Sequence, residues 1–121
     1  MIRIELPFPP SQNAIWRSGR GRVYRAKSYT NWLTQAYHEW LAQKPKGPFK
    51  TVEGLFDIEL KFSRPDRRKR DLDNYHKVVT DFLQQAQIIK NDCNMRKTTS
   101  MWVADEEAPM GVVVLLTPVS S

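Results

Sequence analysis

Apolar residues recur at every second position in two short runs of the chain. The first run is Ile2, Ile4 and Leu6, and the second is Phe56, Ile58, Leu60 and Phe62. Because successive side chains of a β-strand point to opposite faces of a sheet, each run predicts a strand with one buried face. Shorter apolar patterns predict two further strands, around Lys97–Val103 and Val112–Thr117.

Two longer segments repeat apolar residues at intervals of three and four, which is the spacing of an amphipathic helix. The first contains Tyr29, Trp32, Leu33, Ala36, Tyr37, Trp40 and Leu41 and ends before Pro45. The second contains Tyr75, Val78, Val79, Phe82, Leu83 and Ala86. Asp73 or Asn74 is the predicted N-cap of the second helix. We interpret the aromatic side chains of the first helix as core rather than as surfaces for base stacking.

These elements follow one another in the order β-α-β-α-β-β. The order predicts an α+β fold in which two helices pack on a small mixed β-sheet. A chain of 121 residues suits a single domain over residues 1–121, because one hydrophobic core is comfortable at roughly 100–150 residues. The glycine-containing segment 18–22 is expected to be a mobile loop unless it is bound to something.

Basic residues outnumber acidic residues and are concentrated in two clusters. The chain has 19 Lys and Arg against 13 Asp and Glu, a formal net charge of +6. One cluster is Arg17, Arg20, Arg22, Arg25 and Lys27; the other is Lys61, Arg64, Arg67, Arg68, Lys69 and Arg70, with Asp66 as its only acid. Such a domain often binds a polyanion, although either cluster by itself would also suit a solvated loop.

The second basic cluster leads directly into an acidic motif. Asp71 and Asp73 are separated by one residue, so in an extended segment their side chains would point the same way; Lys77 follows Asp73 by one helical turn. Two carboxylates repel each other by ~4 kcal/mol at about 4 Å and an effective dielectric near 20. A divalent cation such as Mg²⁺ would offset this repulsion and activate water for attack on a phosphate. Surface ion pairs and an N-cap would also explain these residues, so the spacing leaves both interpretations open.

The chain resembles the RusA family of Holliday junction resolvases in two segments. One is Pro65–Asn74 followed by Lys77, and the other is the opening Leu6–Asn13 with its basic Arg20–Arg22 loop. The resemblance implies a homodimer that cuts four-way DNA junctions by paired, symmetric nicks, using Mg²⁺ or Mn²⁺. The leading hypothesis is therefore a metal-dependent endodeoxyribonuclease of DNA recombination and repair.

The same resemblance assigns roles to individual residues. It implies that Asp71, Asp73 and Asp92 are catalytic acids that bind the metal, and that Lys77 is the catalytic lysine. The residues expected to contact DNA are Arg20, Arg22, Arg67, Arg68, Lys69 and Arg70. Family members often have two adjacent acids where this chain has Asn91 and Asp92, which leaves Asp92 the only acidic candidate in that loop.

Three other residues with reactive side chains are interpreted as bystanders. His76 is expected at the surface or against DNA, His38 in solvent, and Cys93 as a thiol without the partner ligands of a zinc site. A single cysteine forms no internal disulfide, and no stretch approaches the ~18 apolar residues of a membrane span. With charges interleaved through its first six residues, the chain is expected to be cytoplasmic. The resemblance implies a bacterial, phage-infected or prophage-bearing cell.

Two alternative functions remain open at this point. One is a non-catalytic nucleic-acid-binding domain whose aspartates only cap a helix and form ion pairs. The other is a divalent-metal nuclease of different specificity, for example for RNA or for flaps.

Overall fold

The computed structural model describes residues 1–19 and 21–119. The elements are β1 (Ile2–Pro7), β2 (Trp16–Gly19), β3 (Arg22–Arg25), α1 (Lys27–Gln43), β4 (Phe56–Ser63), α2 (Asp73–Gln85), β5 (Met95–Val103) and β6 (Gly111–Pro118). Four strands form one mixed sheet in the order β1-β6-β4-β5, in which β5 runs parallel to β4 and the other neighbours are antiparallel. The predicted α+β class, with two helices and a small mixed sheet, is confirmed.

The expected loop between β1 and α1 is instead a two-stranded hairpin. β2 pairs with β3 in antiparallel register, from Trp16 opposite Arg25 to Gly19 opposite Arg22. All eight hairpin residues are exposed, so the buried-face alternation by which the other strands were predicted is absent. Arg20 lies outside the described residues.

The core lies between one face of the sheet and the two helices. The strands supply Ile4, Leu6, Phe56, Ile58, Leu60, Phe62, Val112, Val114 and Leu116, while the helices supply Tyr29, Trp32, Ala36, Trp40, Tyr75, Val78, Val79, Phe82 and Leu83. Tyr29, Trp32 and Trp40 of α1 are therefore core, as predicted. Tyr37 remains 48% exposed, as does the neighbouring aliphatic residue Leu41. The opposite face carries alternating charged residues such as Asp57, Glu59 and Lys61.

Helix α1 is fixed against the edge strand β1 by two side chains. The indole Nε1 of Trp32 donates to the carbonyl of Pro7 at 2.9 Å. The amide of Gln43 accepts from the backbone N–H of Glu5 at 2.7 Å and donates to its carbonyl at 2.6 Å. Gln43 thus satisfies backbone groups that an unprotected sheet edge would leave open to pairing with another chain. No helix in the described part of the chain is long and apolar enough to cross a membrane.

The segment after β1 lies unusually close to the start of β6. Gly111 has φ +143°, and a Cβ placed on it would stand 2.2 Å from the backbone nitrogen of Phe8. Only glycine combines this backbone conformation with this approach. The contact therefore sets the course of the chain after Pro7, and with it the location of Phe8.

Replacement of Gly111 by alanine is expected to destabilise the fold by about 2 kcal/mol or more, because it adds backbone strain to a steric clash. Gly54→Ala is the matched control, since nothing lies within 4 Å of a Cβ at that position. Urea unfolding measures both variants. Equal midpoints for Gly111→Ala and the wild-type chain would contradict the proposed role of this contact.

Candidate functional site

The acidic motif stands at the first turn of α2. Leu72 already has helical torsions (φ −54°, ψ −37°), so the segment that enters the helix is not extended, contrary to our expectation. The prediction of Asp73 or Asn74 as N-cap is also wrong, because α2 begins at Asp73 with Leu72 before it. Asp71 serves the first turn instead: its Oδ1 accepts the N–H of Asp73 at 3.4 Å, and its carbonyl accepts the N–H of Asn74 at 3.1 Å.

Asp71 and Asp73 nevertheless line one open cavity of about 760 Å³. Its other lining residues are Lys69, Arg70, Leu72, Asn74, Tyr75 and Trp102. Both aspartates are exposed, and no ion pair of the described residues includes either of them. Two free carboxylates at a helix N-terminus form an all-oxygen donor set, which suits Mg²⁺ because this ion often takes one or two carboxylates and keeps several waters.

Lys77 lies between two carboxylates on the exposed side of α2. Its Nζ is 2.9 Å from Oδ1 of Asp81 and 2.9 Å from Oδ2 of Asp92. The hydrogen bonds that Lys77 donates to Asp81 and, with a smaller effect, to Asp92 raise the pKa of Lys77 above its ordinary value. The amine is therefore a stable ammonium at neutral pH. Helical spacing suggested Asp73 as its ion-pair partner, but the partners are Asp81 and Asp92.

Asp92 reaches α2 because the loop after the helix folds back onto it. The Oε1 of Gln84 accepts the backbone N–H of Asp92 at 3.0 Å. Asn91 caps the short 3₁₀ turn that follows, its side chain accepting the N–H of Cys93 at 2.9 Å. The asparagine that stands in place of a second acid thus shapes the loop that holds Asp92.

The three predicted metal ligands do not form a single compact group. Within residues 1–19 and 21–119, no three Asp, Glu, His or Cys side chains are placed to hold one metal ion together. Asp71 and Asp73 share the cavity described above, whereas Asp92 is engaged by Lys77. The assignment of Asp92 as a metal ligand stays a prediction.

His76 joins α2 to the edge strand β5. Its Nδ1 lies 3.1 Å from Oγ of Ser100, and its Nε2 lies 3.3 Å from Oγ1 of Thr98. The ring is half-buried rather than free at the surface. Burial lowers the pKa of His76, an effect that Asp73 opposes and Lys77 reinforces.

The basic run before α2 divides into bound and free cations. The guanidinium of Arg70 pairs with both carboxylate oxygens of Asp66, and its side chain is only 12% exposed. The Arg70 pair, followed by the backbone N–H of Arg68, holds the pKa of Asp66 well below its usual range. Arg67 and Lys69 are exposed, and no ion pair of the described residues includes them. Of the run Arg67–Arg70, these two are best placed to meet a phosphate.

Some residues of the site were not singled out from the sequence. Asp81 follows Lys77 by one helical turn, so the i, i+4 rule was a sufficient signal for that ion pair. The contact of Gln84 with Asp92 had no such local signal, since it depends on how the intervening loop folds. Arg22 is exposed at the start of β3 in the hairpin, and its contact with DNA stays a prediction.

Together these features define a class of protein: a small basic α+β domain with a pair of aspartates beside free cations at a helix N-terminus. The chain belongs to the endodeoxyribonuclease RusA family, whose model matches residues 7–116. It is 35% identical over 117 residues to the crossover junction endodeoxyribonuclease RusA of Aquifex aeolicus, covering 97% of this chain and 89% of that protein. The proteins of the same name from Enterobacteria phage 82 and Escherichia coli are 35% and 34% identical over 85 residues, covering 69% of this chain and 67% of each relative. The predicted family resemblance is confirmed.

The lowered pKa of His76 predicts a loss of stability on mild acidification. Below about pH 6.5 the unfolded chain binds a proton at this histidine while the folded chain still excludes it, so stability falls as the pH decreases towards the folded-state pKa. Urea midpoints measured at pH 7.5 and 5.5 in EDTA should differ more for the wild-type chain than for His76→Gln. His38→Gln, at an exposed histidine, is the control and should retain the wild-type difference. An undiminished difference in His76→Gln would contradict the prediction.

Proposed function

We propose that this protein is a metal-dependent endodeoxyribonuclease that resolves four-way DNA junctions. The pairing of Asp71 and Asp73 in one cavity, beside the free cation Lys69, carries the proposal. Membership in the endodeoxyribonuclease RusA family and the crossover junction activity named for its relatives support the same substrate. Because these relatives come from bacteria and a phage, we also propose that the protein acts in the bacterial cytoplasm.

Asp71 and Asp73 would hold the metal ion, with Mg²⁺ or Mn²⁺ as the expected species. A bound divalent ion supplies charge for a phosphate oxygen and lowers the pKa of water. Asp92 would join as a third ligand when Lys77 releases it. Lys77 contacts Oδ2 of Asp92, and no hydrogen bond or ion pair of the described residues includes its Oδ1.

Lys77 has the properties of an electrostatic catalyst rather than a base. Its raised pKa, caused by Asp81 and Asp92, keeps the amine protonated throughout the neutral pH range. A positioned ammonium stabilises negative charge that develops on a phosphodiester during hydrolysis. In this proposal Asp81 keeps Lys77 anchored to α2 while the DNA arrives.

The alternative functions predict different outcomes in a single assay. A four-way junction and a linear duplex of matched sequence are incubated with Mg²⁺, and then with EDTA. Paired nicks in the junction that EDTA abolishes are expected. Binding without cleavage would favour the non-catalytic domain, for which the role of Asp71 at the start of α2 provides a structural reason. Cleavage of RNA or flaps but not of junctions would favour a nuclease of other specificity.

Asp71→Asn and Asp73→Asn are each expected to abolish Mg²⁺-dependent cleavage, at least 100-fold in rate, while junction binding is retained. Each substitution weakens metal binding and also removes a negative charge that repels phosphate. Gel assays of binding in EDTA and of cleavage in Mg²⁺ separate the two effects. Asp92→Asn should behave likewise, and Lys77→Ala should impair turnover more than binding.

Glu59→Gln is the control for these substitutions. Glu59 lies on the sheet face opposite the helices, so the change removes one carboxylate without touching the cavity. It should cleave like the wild-type protein. Cleavage near the wild-type rate by Asp71→Asn or Asp73→Asn would exclude the proposed site.

Arg67→Ala and Lys69→Ala are each expected to lower the slope of log K against log salt by about 1, as for the loss of one phosphate contact. Lys97→Ala removes an equal charge from the opposite face of the sheet and should leave the slope unchanged. Fluorescence anisotropy with a labelled junction at several salt concentrations gives the slopes. If Arg67→Ala and Lys69→Ala both retain the wild-type slope, neither Arg67 nor Lys69 contacts the DNA backbone.

A homodimer is expected in solution, with both active sites facing one side. Resolution requires two symmetric cuts, each protomer contributes one Asp71–Asp73 pair, and a two-fold dimer matches the symmetry of the junction. Tyr37 and Leu41 add exposed apolar surface that a partner protomer could cover. Light scattering at micromolar concentration should give twice the mass of one chain. A strict monomer that still nicked two strands symmetrically would contradict this account.

A further inference from the structure

A second cavity, of about 450 Å³, adjoins the cavity that is lined by Asp71 and Asp73. We call it the proline cavity; it is lined by Phe8, Pro9, Pro10, Ser11, Ala14, Arg68, Lys69, Arg70 and Tyr75. Lys69, Arg70 and Tyr75 line both cavities. The two cavities therefore meet at these three side chains.

The walls of the proline cavity are held rigidly. The backbone of Phe8 is fixed by its close approach to Gly111. The Phe8 ring packs on Tyr75, with ring centroids 4.9 Å apart, and the guanidinium of Arg70 lies 5.8 Å from the centroid of the Phe8 ring. Arg70 is in turn held by both oxygens of Asp66. A cavity whose walls are fixed before binding loses little conformational entropy when a ligand enters.

The chemistry of these walls matches one flat heterocycle attached to a phosphate. Phe8, Pro9, Pro10 and Ala14 present apolar surface, Arg68 and Lys69 stand exposed at the rim, and among the described lining residues none is acidic. The hydroxyl of Ser11 accepts the N–H of Asn13 at 3.2 Å, which leaves its own hydrogen free to donate to a ring nitrogen or carbonyl. A volume of this size lies within the usual range of small-ligand pockets.

We propose that the proline cavity receives one nucleobase of the DNA strand beside the scissile phosphate and so contributes to the choice of cleavage position. This inference rests on the proposed junction-cleaving function. Bases at the branch point of a junction are more easily unstacked than those within a duplex, since unpaired or distorted positions require less energy for extrusion. Apolar and aromatic walls then replace the lost stacking, while Lys69, which is in no ion pair of the described residues, neutralises the flanking phosphate.

A double-mutant cycle, in which the protein and the DNA are each changed and binding affinity is measured, tests the proposal without the need for catalysis. A set of four-way junctions, each with one base removed near the branch point, is bound to wild-type protein and to Ala14→Leu in EDTA. For the wild-type protein, one abasic position should lower affinity about 10-fold. Ala14→Leu fills the cavity, so it should bind the intact junction about 10-fold more weakly and lose all sensitivity to that position.

Two further variants make the outcome decisive. Ala42→Leu adds the same side chain on an exposed position of α1 and should behave like the wild-type protein. Ala14→Val fills less of the cavity; it should show a partial effect and replaces Ala14→Leu if circular dichroism shows that the larger substitution fails to fold. If each abasic position lowered the affinity of the cavity-filled variant as much as that of the wild-type protein, the proposal would be overturned.

The cycle also separates this proposal from the proposed function. Wild-type protein that binds junctions tightly but shows no sensitive position would refute the base-binding cavity alone. Wild-type protein that prefers a linear duplex to a junction would refute the junction-resolving function itself, and the base-binding proposal with it. With cleavage restored by Mg²⁺, Ala14→Leu should also spread the cuts over more positions of a junction with a mobile branch point.

Discussion

The close approach of Phe8 to Gly111 is the constraint on which the rest of the site depends. It forces the chain leaving β1 to pass over the end of the sheet, where Phe8 joins Phe62, Tyr75 and Trp102 in a cluster of aromatic rings. Tyr75 belongs to the first turns of α2, so the same cluster fixes where that helix begins. The position of the paired aspartates thus follows from the contact between Phe8 and Gly111, which are far apart in the sequence.

The ion pair between Asp66 and Arg70 extends this organisation to the basic run. Arg70 lies against the Phe8 ring and is anchored by Asp66, so the loop between β4 and α2 is held at its middle and at its end. Arg70 therefore has a structural role, and its contact with DNA, implied by the resemblance, stays a prediction. Arg67 and Lys69 remain exposed beside it, and their charge is available to a polyanion. A cluster of like charges in a sequence can hence contain both residues that hold the fold and residues that are candidates for binding.

Patterns within a few residues predicted most of the fold, because the alternation of β4 and the 3,4 spacing of α2 are local consequences of burial. The hairpin of Trp16–Gly19 and Arg22–Arg25 was missed, since both strands expose every side chain and show no alternation. Within the site, the motif identified Asp71, Asp73 and Lys77 as candidates, but not their partners. The link between Lys77 and Asp92 requires the loop held by Gln84 and Asn91, which no periodicity encodes.

The distribution of charge around α2 distinguishes two groups of acids. Asp81 and Asp92 share the ammonium of Lys77, so most of their mutual repulsion is offset within the chain. Asp71 and Asp73 have no such partner among the described residues, and Arg70 beside them is already paired with Asp66. Repulsion between unpaired carboxylates favours any cation that can approach both, and the open cavity gives a hydrated divalent ion that access. Asp71 and Asp73 would hold such an ion, and if Asp92 joined them, the ammonium of Lys77 would keep Asp81 as its partner and could also contact an incoming phosphate.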